Sequence, residues 1–504
     1  MRALLLLAFS PLLVFGQPVI EVKPVKFFTE VGTAIGTSTR TPFWLRANQY
    51  GIVPSTLPYG TFRTGAQMDY RSRPLSTPIK PRLKDTFGWG YGAEVVVNSG
   101  PTNTRIVLPE AYVKGRLGPF ELMAGRRREV IGLADSTIGS GSYVWSGNAL
   151  PLPKIQVSIP EYTPIGFTKG ILAIRGQFAH GWFESAGFVQ HSLLHQKSLY
   201  GRLGKPTWPV RFYAGINHQA QWGGTTRQDL PELFVKNGVF PSRLKDYMYV
   251  VTGQSLGYFS LVDTTYYSKF DRENRIGNHM GTIDLGMEIG NRRYSVFLYR
   301  QSIYEDGSLF YLINIQDGLN GIRFRNLRPS SSVFQIRDVV VEYLHTMSQG
   351  GGTFQDLAKM RGKDNYFNHG QYRDGWSYYG RTLGTPFIPP ASDTRPNLPP
   401  YGFTNNNRVR ALHLGVSGGM PGGGSFALKA SVSDNFGTYD NPFPPNTRQL
   451  SSALTVSQPI SYRRDWIATA TIAHDQGDLY PQSTAIYAGV RKTWEYYRYR
   501  VRGK

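Results

Sequence analysis

Apolar and polar positions alternate strictly in several stretches of the chain. Phe87, Trp89, Tyr91, Ala93, Val95 and Val97 share one parity, and Gly88, Gly90, Gly92, Glu94, Val96 and Asn98 share the other. Successive side chains of an extended strand point to opposite faces. The stretch therefore predicts a strand with one greasy, aromatic face and one small or polar face. Upstream, Phe62, Ala66, Met68 and Tyr70 oppose Arg63, Gly65, Gln67 and Asp69. Near the C-terminus Leu412, Leu414 and Val416 alternate with Ala411, His413, Gly415 and Ser417, and a glycine-rich turn follows at 418–424. The chain then returns through Phe426, Leu428, Ala430 and Val432, and the next connection, 434–448, is longer and polar. Further alternating runs cover 450–456, 466–472 and 484–494. Dyad alternation with short and long connections in turn is the signature of a transmembrane antiparallel β-barrel. A secreted β-sandwich or propeller also alternates, but the blade repeat of a propeller is missing.

Three stretches depart from this period. Ser242 is placed to cap a helix carrying Leu244, Tyr247, Met248 and Val251 on one face. Residues 229–237 and 354–361 predict two more short helices. Such inserts, near 229–251 and 354–361, suit a plug in the lumen or a periplasmic attachment.

The N-terminus changes the compartment. Arg2 precedes an apolar run, 3–15, and Val14 and Gly16 sit at the small-residue positions of a cleavage site. The run is shorter than the roughly 20 residues a spanning helix needs, so residues 1–16 read as a secretory signal peptide. The mature chain, 17–504, reads as a single barrel domain exported to the outer membrane of a Gram-negative cell. It has no cysteine, which excludes zinc ribbons, thiol nucleophiles and disulfide scaffolds. The formal charge of +22 is spread along the chain. Nucleic acid is a poor partner for an exported protein. Lipopolysaccharide phosphates and other outer-membrane lipids at the rim, and an acidic polysaccharide at the lumen, suit the charge better.

Catalytic chemistry finds little support. There is no G-x-S-x-G elbow, H-E-x-x-H helix or Walker loop. We therefore expect no enzyme activity, no cofactor and no metal. His191, His195 and His218 lack a carboxylate partner in their spacing and read as polar lumen histidines. The segment 364–381, DNYFNHGQYRDGWSYYGR, is different. Planar polar groups bond sugar hydroxyls, rings lie against apolar sugar faces, and Arg bonds acidic-sugar carboxylates. Arg373, Asp374, Trp376, Tyr378 and Arg381 are the candidate glycan-binding residues. The competing reading is a loop braced against the wall. At the C-terminus Trp494 is followed by a basic tail, 495–504, so either the last strand continues to Val501 or the tail protrudes.

With its continuation TLGTPF at 382–387, this segment resembles the signature of the Wzi-type capsule-assembly family of outer-membrane proteins, in the style of the Bacteroidetes-like branch. FWLRANQYG at 43–51, GSYVWSGNALPLPKI at 141–155, HGWFESAGFVQHSLLHQKSLYGRLG at 180–204, NHQAQWGG at 217–224 and HDQGDLY at 474–480 extend the likeness over most of the chain. The resemblance implies an all-β outer-membrane barrel of about eighteen strands, within the known range, with small periplasmic helices. It implies a non-enzymatic, lectin-like anchor or organiser of capsular polysaccharide at the cell surface. The rival readings are a porin-like channel and an outer-membrane lipase or deacylase. The latter needs a Ser or Thr beside a His at the lipid boundary.

Overall fold

The computed structural model describes residues 25–70, 87–256, 262–305, 312–329, 333–353 and 362–496. The signal-peptide reading and the helix expected at 354–361 lie outside the described residues. Eighteen antiparallel strands form one sheet that closes on itself. The first nine are β1 (Val25–Gly36), β2 (Tyr59–Met68), β3 (Phe87–Ser99), β4 (Thr104–Leu117), β5 (Phe120–Arg126), β6 (Lys154–Pro164), β7 (Leu172–Trp182), β8 (Leu193–Leu203) and β9 (Val210–Trp222). The others are β10 (Asn278–Gly290), β11 (Tyr294–Glu305), β12 (Gly318–Asn326), β13 (Gln335–His345), β14 (Val409–Met420), β15 (Gly424–Asn435), β16 (Arg448–Pro459), β17 (Trp466–Gly477) and β18 (Ser483–Tyr496). β1 pairs with both β2 and β18, from Val25 opposite Tyr496 to Gly36 opposite Ala485. The strand that holds Trp494 therefore extends to Tyr496 and closes the barrel, and the rest of the basic tail lies outside the described residues.

The alternation predicted for β3 is the alternation observed. Phe87 and Trp89 are 69% and 56% exposed, whereas Gly88, Gly90, Gly92, Glu94, Val96 and Asn98 are buried. The outward face is apolar around the wall, with Val31, Ile106, Leu122, Leu199, Leu412, Leu454, Ile472 and Ile486 exposed. In water such a surface would be unstable; in a bilayer it is the solvent-facing side. Short turns at one end, such as 118–119, 291–293 and 421–423, alternate with long connections at the other, such as 37–58, 127–153, 223–277 and 346–408. Barrels of this class direct the long loops outward and the short turns to the periplasm. Near the short-turn end the wall carries a ring of aromatics. Phe27 stacks on Trp494 at 5.7 Å, Phe334 on Phe426 at 4.8 Å, and Tyr294 meets Phe324 at 5.5 Å. Amphipathic rings favour that headgroup level.

Several expectations are corrected. Tyr70, assigned to the greasy face, lies past the end of β2 and turns inward to Glu121, because its hydroxyl needs a polar partner. Residues 229–237 form turns rather than a helix; Asn237 and Gly238 take positive φ and reverse the chain within one turn. A helix α2 (Leu244–Thr252) is present, but Arg243 rather than Ser242 is its N-cap. Of its predicted apolar face Leu244 and Met248 are exposed and Tyr247 packs on the wall, while Asp246 is buried and accepts from Arg243 N and the hydroxyls of Tyr266 and Tyr267. A second, unforeseen helix, α3 (Lys269–Glu273), is capped by Ser268. Both lie in the connection 223–277 at the long-loop end, not on the short-turn side.

His195 and His218 are not lumen histidines either. Each shares the parity of the exposed Leu199 and Ile216 and faces outward, alongside His180 and His279. Helix α2 covers them: Tyr247 lies 5.7 Å from both His180 and His195, and Lys197 Nζ donates to the Val251 carbonyl. Polar groups on the lipid side are costly, and here a helix strapped over the wall shields them.

A plug at the candidate glycan-binding mouth

The main core of the protein lies inside the barrel. Three long connections fold into the lumen. The first, 37–58, carries the short helix α1 (Phe43–Arg46), with Phe43, Trp44 and Leu45 buried. The second is 127–153, and the third, described over 346–353 and 362–408, contains the segment 364–381. Tyr143, Val144, Trp145, Tyr366, Phe367, Trp376, Tyr378 and Phe387 join these residues in a single apolar cluster. Tyr143 and Phe367 lie 5.2 Å apart, Phe43 and Phe387 5.4 Å, and Trp145 and Trp376 6.2 Å.

A loop drawn into a lumen loses water from its backbone, so its N–H groups need partners. The wall supplies them. Leu133 N donates to Asp284 at 2.8 Å, Ser140 N to Glu342 at 2.5 Å, Tyr143 N to Gln301 at 2.9 Å and Phe43 N to Asp475 at 2.8 Å. The Ile138 carbonyl bonds His413 Nε2 at 2.7 Å. That carbonyl would lie 2.2 Å from a Cβ at Gly415, so only glycine lets the loop pass. The inward polar residues of several strands thus act as a docking rail.

The five sequence-derived candidates fall into two groups. Trp376 is fully buried, and its indole Nε1 donates to the Val144 carbonyl at 2.9 Å. Tyr378 is buried too, and its hydroxyl accepts from Arg126 at 2.8 Å. Asp374 accepts from the backbone N–H groups of Phe188 and Val189, both at 2.9 Å, which ties the segment to the 183–192 connection. Arg373 is exposed, its guanidinium 5.4 Å from the Phe188 ring centre. Arg381 donates to the Val53 carbonyl at 2.7 Å. Burial, followed by the neighbouring Arg46 charge, pushes Arg381 down to about 10, so it stays cationic at neutral pH.

Structure adds residues that composition did not reveal. Ser377–Tyr378 pairs with Arg381–Thr382 around a tip of Tyr379 and Gly380, both at positive φ. That is the twist a two-residue hairpin requires, and it presents the Tyr379 ring at the mouth, 45% exposed. The Tyr-Gly dipeptide was the available signal. Beside Val53 lies a pocket of about 130 Å³ lined by Ser55, Thr56, Tyr59, Asn98, Asn103 and Arg105. Asn98 donates to the Ile52 carbonyl at 2.7 Å, and its buried Oδ1 has no partner. Amide, hydroxyl, ring and guanidinium together make a surface that can bond sugar hydroxyls and an acidic substituent.

The enzyme rival meets its minimum geometry once. His474 Nδ1 lies 2.7 Å from Thr484 Oγ1 on the outward face. A working nucleophile also needs its base oriented by a third group, and among the described residues no such partner bonds the other ring nitrogen. The pair His413–Ser431, at 3.0 Å, is buried beneath Trp44. Among the described residues no cluster of three metal-ligating side chains occurs.

A closed eighteen-stranded barrel with an apolar outer belt, an aromatic ring and a plug of long loops defines an outer-membrane barrel. Residues 79–484 match the profile of the capsule assembly protein Wzi family, and the chain belongs to that family. Among solved structures it is similar to Wzi of Escherichia coli, described as an outer membrane protein involved in group 1 capsule assembly and a carbohydrate binding β-barrel. Identity is 13%, coverage 92% of this chain and 83% of that one, and the TM-score 0.55. Weaker likenesses include Acinetobacter baumannii OccAB4 (8% identity, 94% and 99% coverage, TM-score 0.45) and Pseudomonas aeruginosa OccK3 (11%, 94% and 96%, 0.44). No curated protein matches the chain.

Proposed function

We propose that this chain is an outer-membrane capsule-assembly protein that binds acidic capsular or extracellular polysaccharide at its long-loop mouth and anchors or organises it at the cell surface. It reaches the outer membrane through a cleaved signal peptide and acts by binding, without catalysis or cofactor. The observation that carries this reading is the plug. The segment 364–381 is held by Trp376, Tyr378 and Asp374, so that Arg373 and Tyr379 are exposed beside the 183–192 connection and Arg381 reaches the Val53 carbonyl at the pocket lined by Asn98, Asn103 and Arg105. Family membership and the carbohydrate-binding barrel of the E. coli relative support it. In this reading Arg373, Tyr379 and Arg381 meet the glycan, and Asp374, Trp376 and Tyr378 position them. Many weak contacts along a polymer suffice for retention.

The test is binding of purified acidic capsule to the folded barrel, with surface staining of a deletion strain complemented by variants. Arg373→Ala and Tyr379→Ala should lower retained polysaccharide while heat-modifiable gel mobility stays that of the parent. Capsule retention unchanged in the double variant overturns the assignment. Fatty-acid release that depends on Thr484 would instead favour the lipase reading.

A further inference from the structure

The outer wall is not a uniform apolar belt. Across β8–β13 it carries an open groove of about 840 Å³. Its floor comes from two small outward residues, Gly201 and Ala214, paired directly across β8 and β9. Its sides are Leu203, Phe212, Met287, Leu298, Ile322 and Val341. A Cβ added at Gly201 would meet one atom within 4 Å, so the floor is open toward the membrane. The groove is therefore continuous with the lipid-facing surface and shaped to take acyl chains.

At its long-loop end the chemistry changes abruptly. Arg300 and Asn320, paired across β11 and β12, both face outward and line the groove. Arg300 also pairs with Leu285, which is 57% exposed on the same lipid-facing surface. Its guanidinium bonds four neutral acceptors: Ser302 Oγ at 3.1 Å, Asn320 Oδ1 at 2.8 Å, the Ile315 carbonyl at 2.5 Å and the Asp317 carbonyl at 3.5 Å. Among the described residues no carboxylate lies within 4 Å of it. An arginine on the lipid face costs about 2–4 kcal/mol at mid-bilayer and little near the interface. Here it is oriented by four bonds, yet its charge is not neutralised. A guanidinium so held matches a phosphate or carboxylate oxygen.

We propose that this groove is a specific lipid site whose occupant is a phosphate-bearing, multiply acylated glycolipid of the lipid A type. The acyl chains lie on Gly201 and Ala214, and the phosphate is held by Arg300 and Asn320. The side of the membrane follows from topology: the cationic end of the groove lies toward the long loops, which face outward. With His195 and Lys197 covered by α2 on the adjacent strands, Arg300 is, among the described residues, the cation that lines this groove. The proposal rests on the outer-membrane reading but not on polysaccharide binding.

Native mass spectrometry of the full chain, released from micelles containing lipid A, dephosphorylated lipid A or phosphatidylethanolamine, tests it without any capsule. Lipid A should be retained on the order of tenfold better than the other two, the scale of a charge-assisted contact. Arg300→Gln should abolish that preference, and Ala214→Phe should lower retention of lipid A with the arginine intact. Equal retention of phosphorylated and dephosphorylated lipid by the parent overturns the proposal, with no variant needed. So does undiminished lipid A binding by a correctly folded Arg300→Gln barrel. Either failure leaves capsule binding untouched, and loss of capsule binding leaves this site standing.

Discussion

The wall of the barrel and the plug inside it are built by opposite rules. In β3 every second residue faces lipid, and the exposed and buried sets follow the sequence period residue by residue. In the plug no period operates. Trp145, Phe367 and Trp376, from two separate connections, converge in one cluster, and the wall accepts from 127–153 through Asp284, Gln301 and Glu342 and from 37–58 through Asp475. The difference teaches that inward polar residues of this barrel serve two ends at once. They form the non-lipid face of a strand, and they provide acceptors for loops that have left water.

The hardest test of that contrast is Trp376→Ala. Removing a buried aromatic costs roughly 3–5 kcal/mol, so the plug should come loose while the closed wall persists. Conductance in a planar bilayer should rise, and loop 346–408 should become open to protease. A barrel that fails to assemble would show that plug and wall fold as one unit. On the wall, Ile472→Arg places a charge on the exposed lipid face and should cost about 2–4 kcal/mol. Its expected signature is reduced insertion with unaltered plug protection, the reverse of the Trp376 result.

Glu342→Gln is a smaller perturbation. It weakens acceptance from Ser140 N and the Tyr299 hydroxyl, both at 2.5 Å, and should cost about 1–3 kcal/mol. Hydrogen exchange should rise in 127–153 first. pH offers a related handle in the plug segment. Burial pushes His369 down to about 4, and its Nδ1 accepts from the N–H groups of Gln371 and Tyr372. A histidine with a lowered folded-state value binds protons more readily when released. The plug should therefore weaken as pH falls from about 6.5, the unfolded value, towards 4. His369→Gln should flatten that dependence. The smallest structural effect is expected for Arg373→Ala, since the side chain is exposed. Its stability change should stay within about 0.5 kcal/mol. Capsule binding should fall and lose part of its sensitivity to salt, which screens exposed charges beyond about 8 Å at physiological strength.

The fold was largely legible because a strand with lipid on one side has to declare both faces locally. The runs around Leu412, Leu450, Trp466 and Ile486 each announced a strand that the structure contains. Legibility failed wherever one segment covers another. The outward parity of His195 and His218 looked like a lumen assignment because polar residues belong on the lumen side unless something shields them. Helix α2, distant in sequence, does so. The apolar edge of α2 misled for the same reason: its position against the outer wall left Leu244 and Met248 free and buried Asp246 instead. In 364–381 the mixture of rings and polar groups was visible, but its division into positioning and presented residues was not.

The sequence by itself determined the barrel class, the lipid-facing residues of the clearest strands and the family, because alternation and local motifs need no distant partner. Only the tertiary structure decided that Trp376 is core rather than surface, that Tyr379 stands at the mouth, and that Arg300 heads a groove in the wall. Each of those depends on which loops enter the lumen and which strands lie side by side, and closure of a sheet through Val25 and Tyr496 is a contact between chain ends that no local pattern encodes.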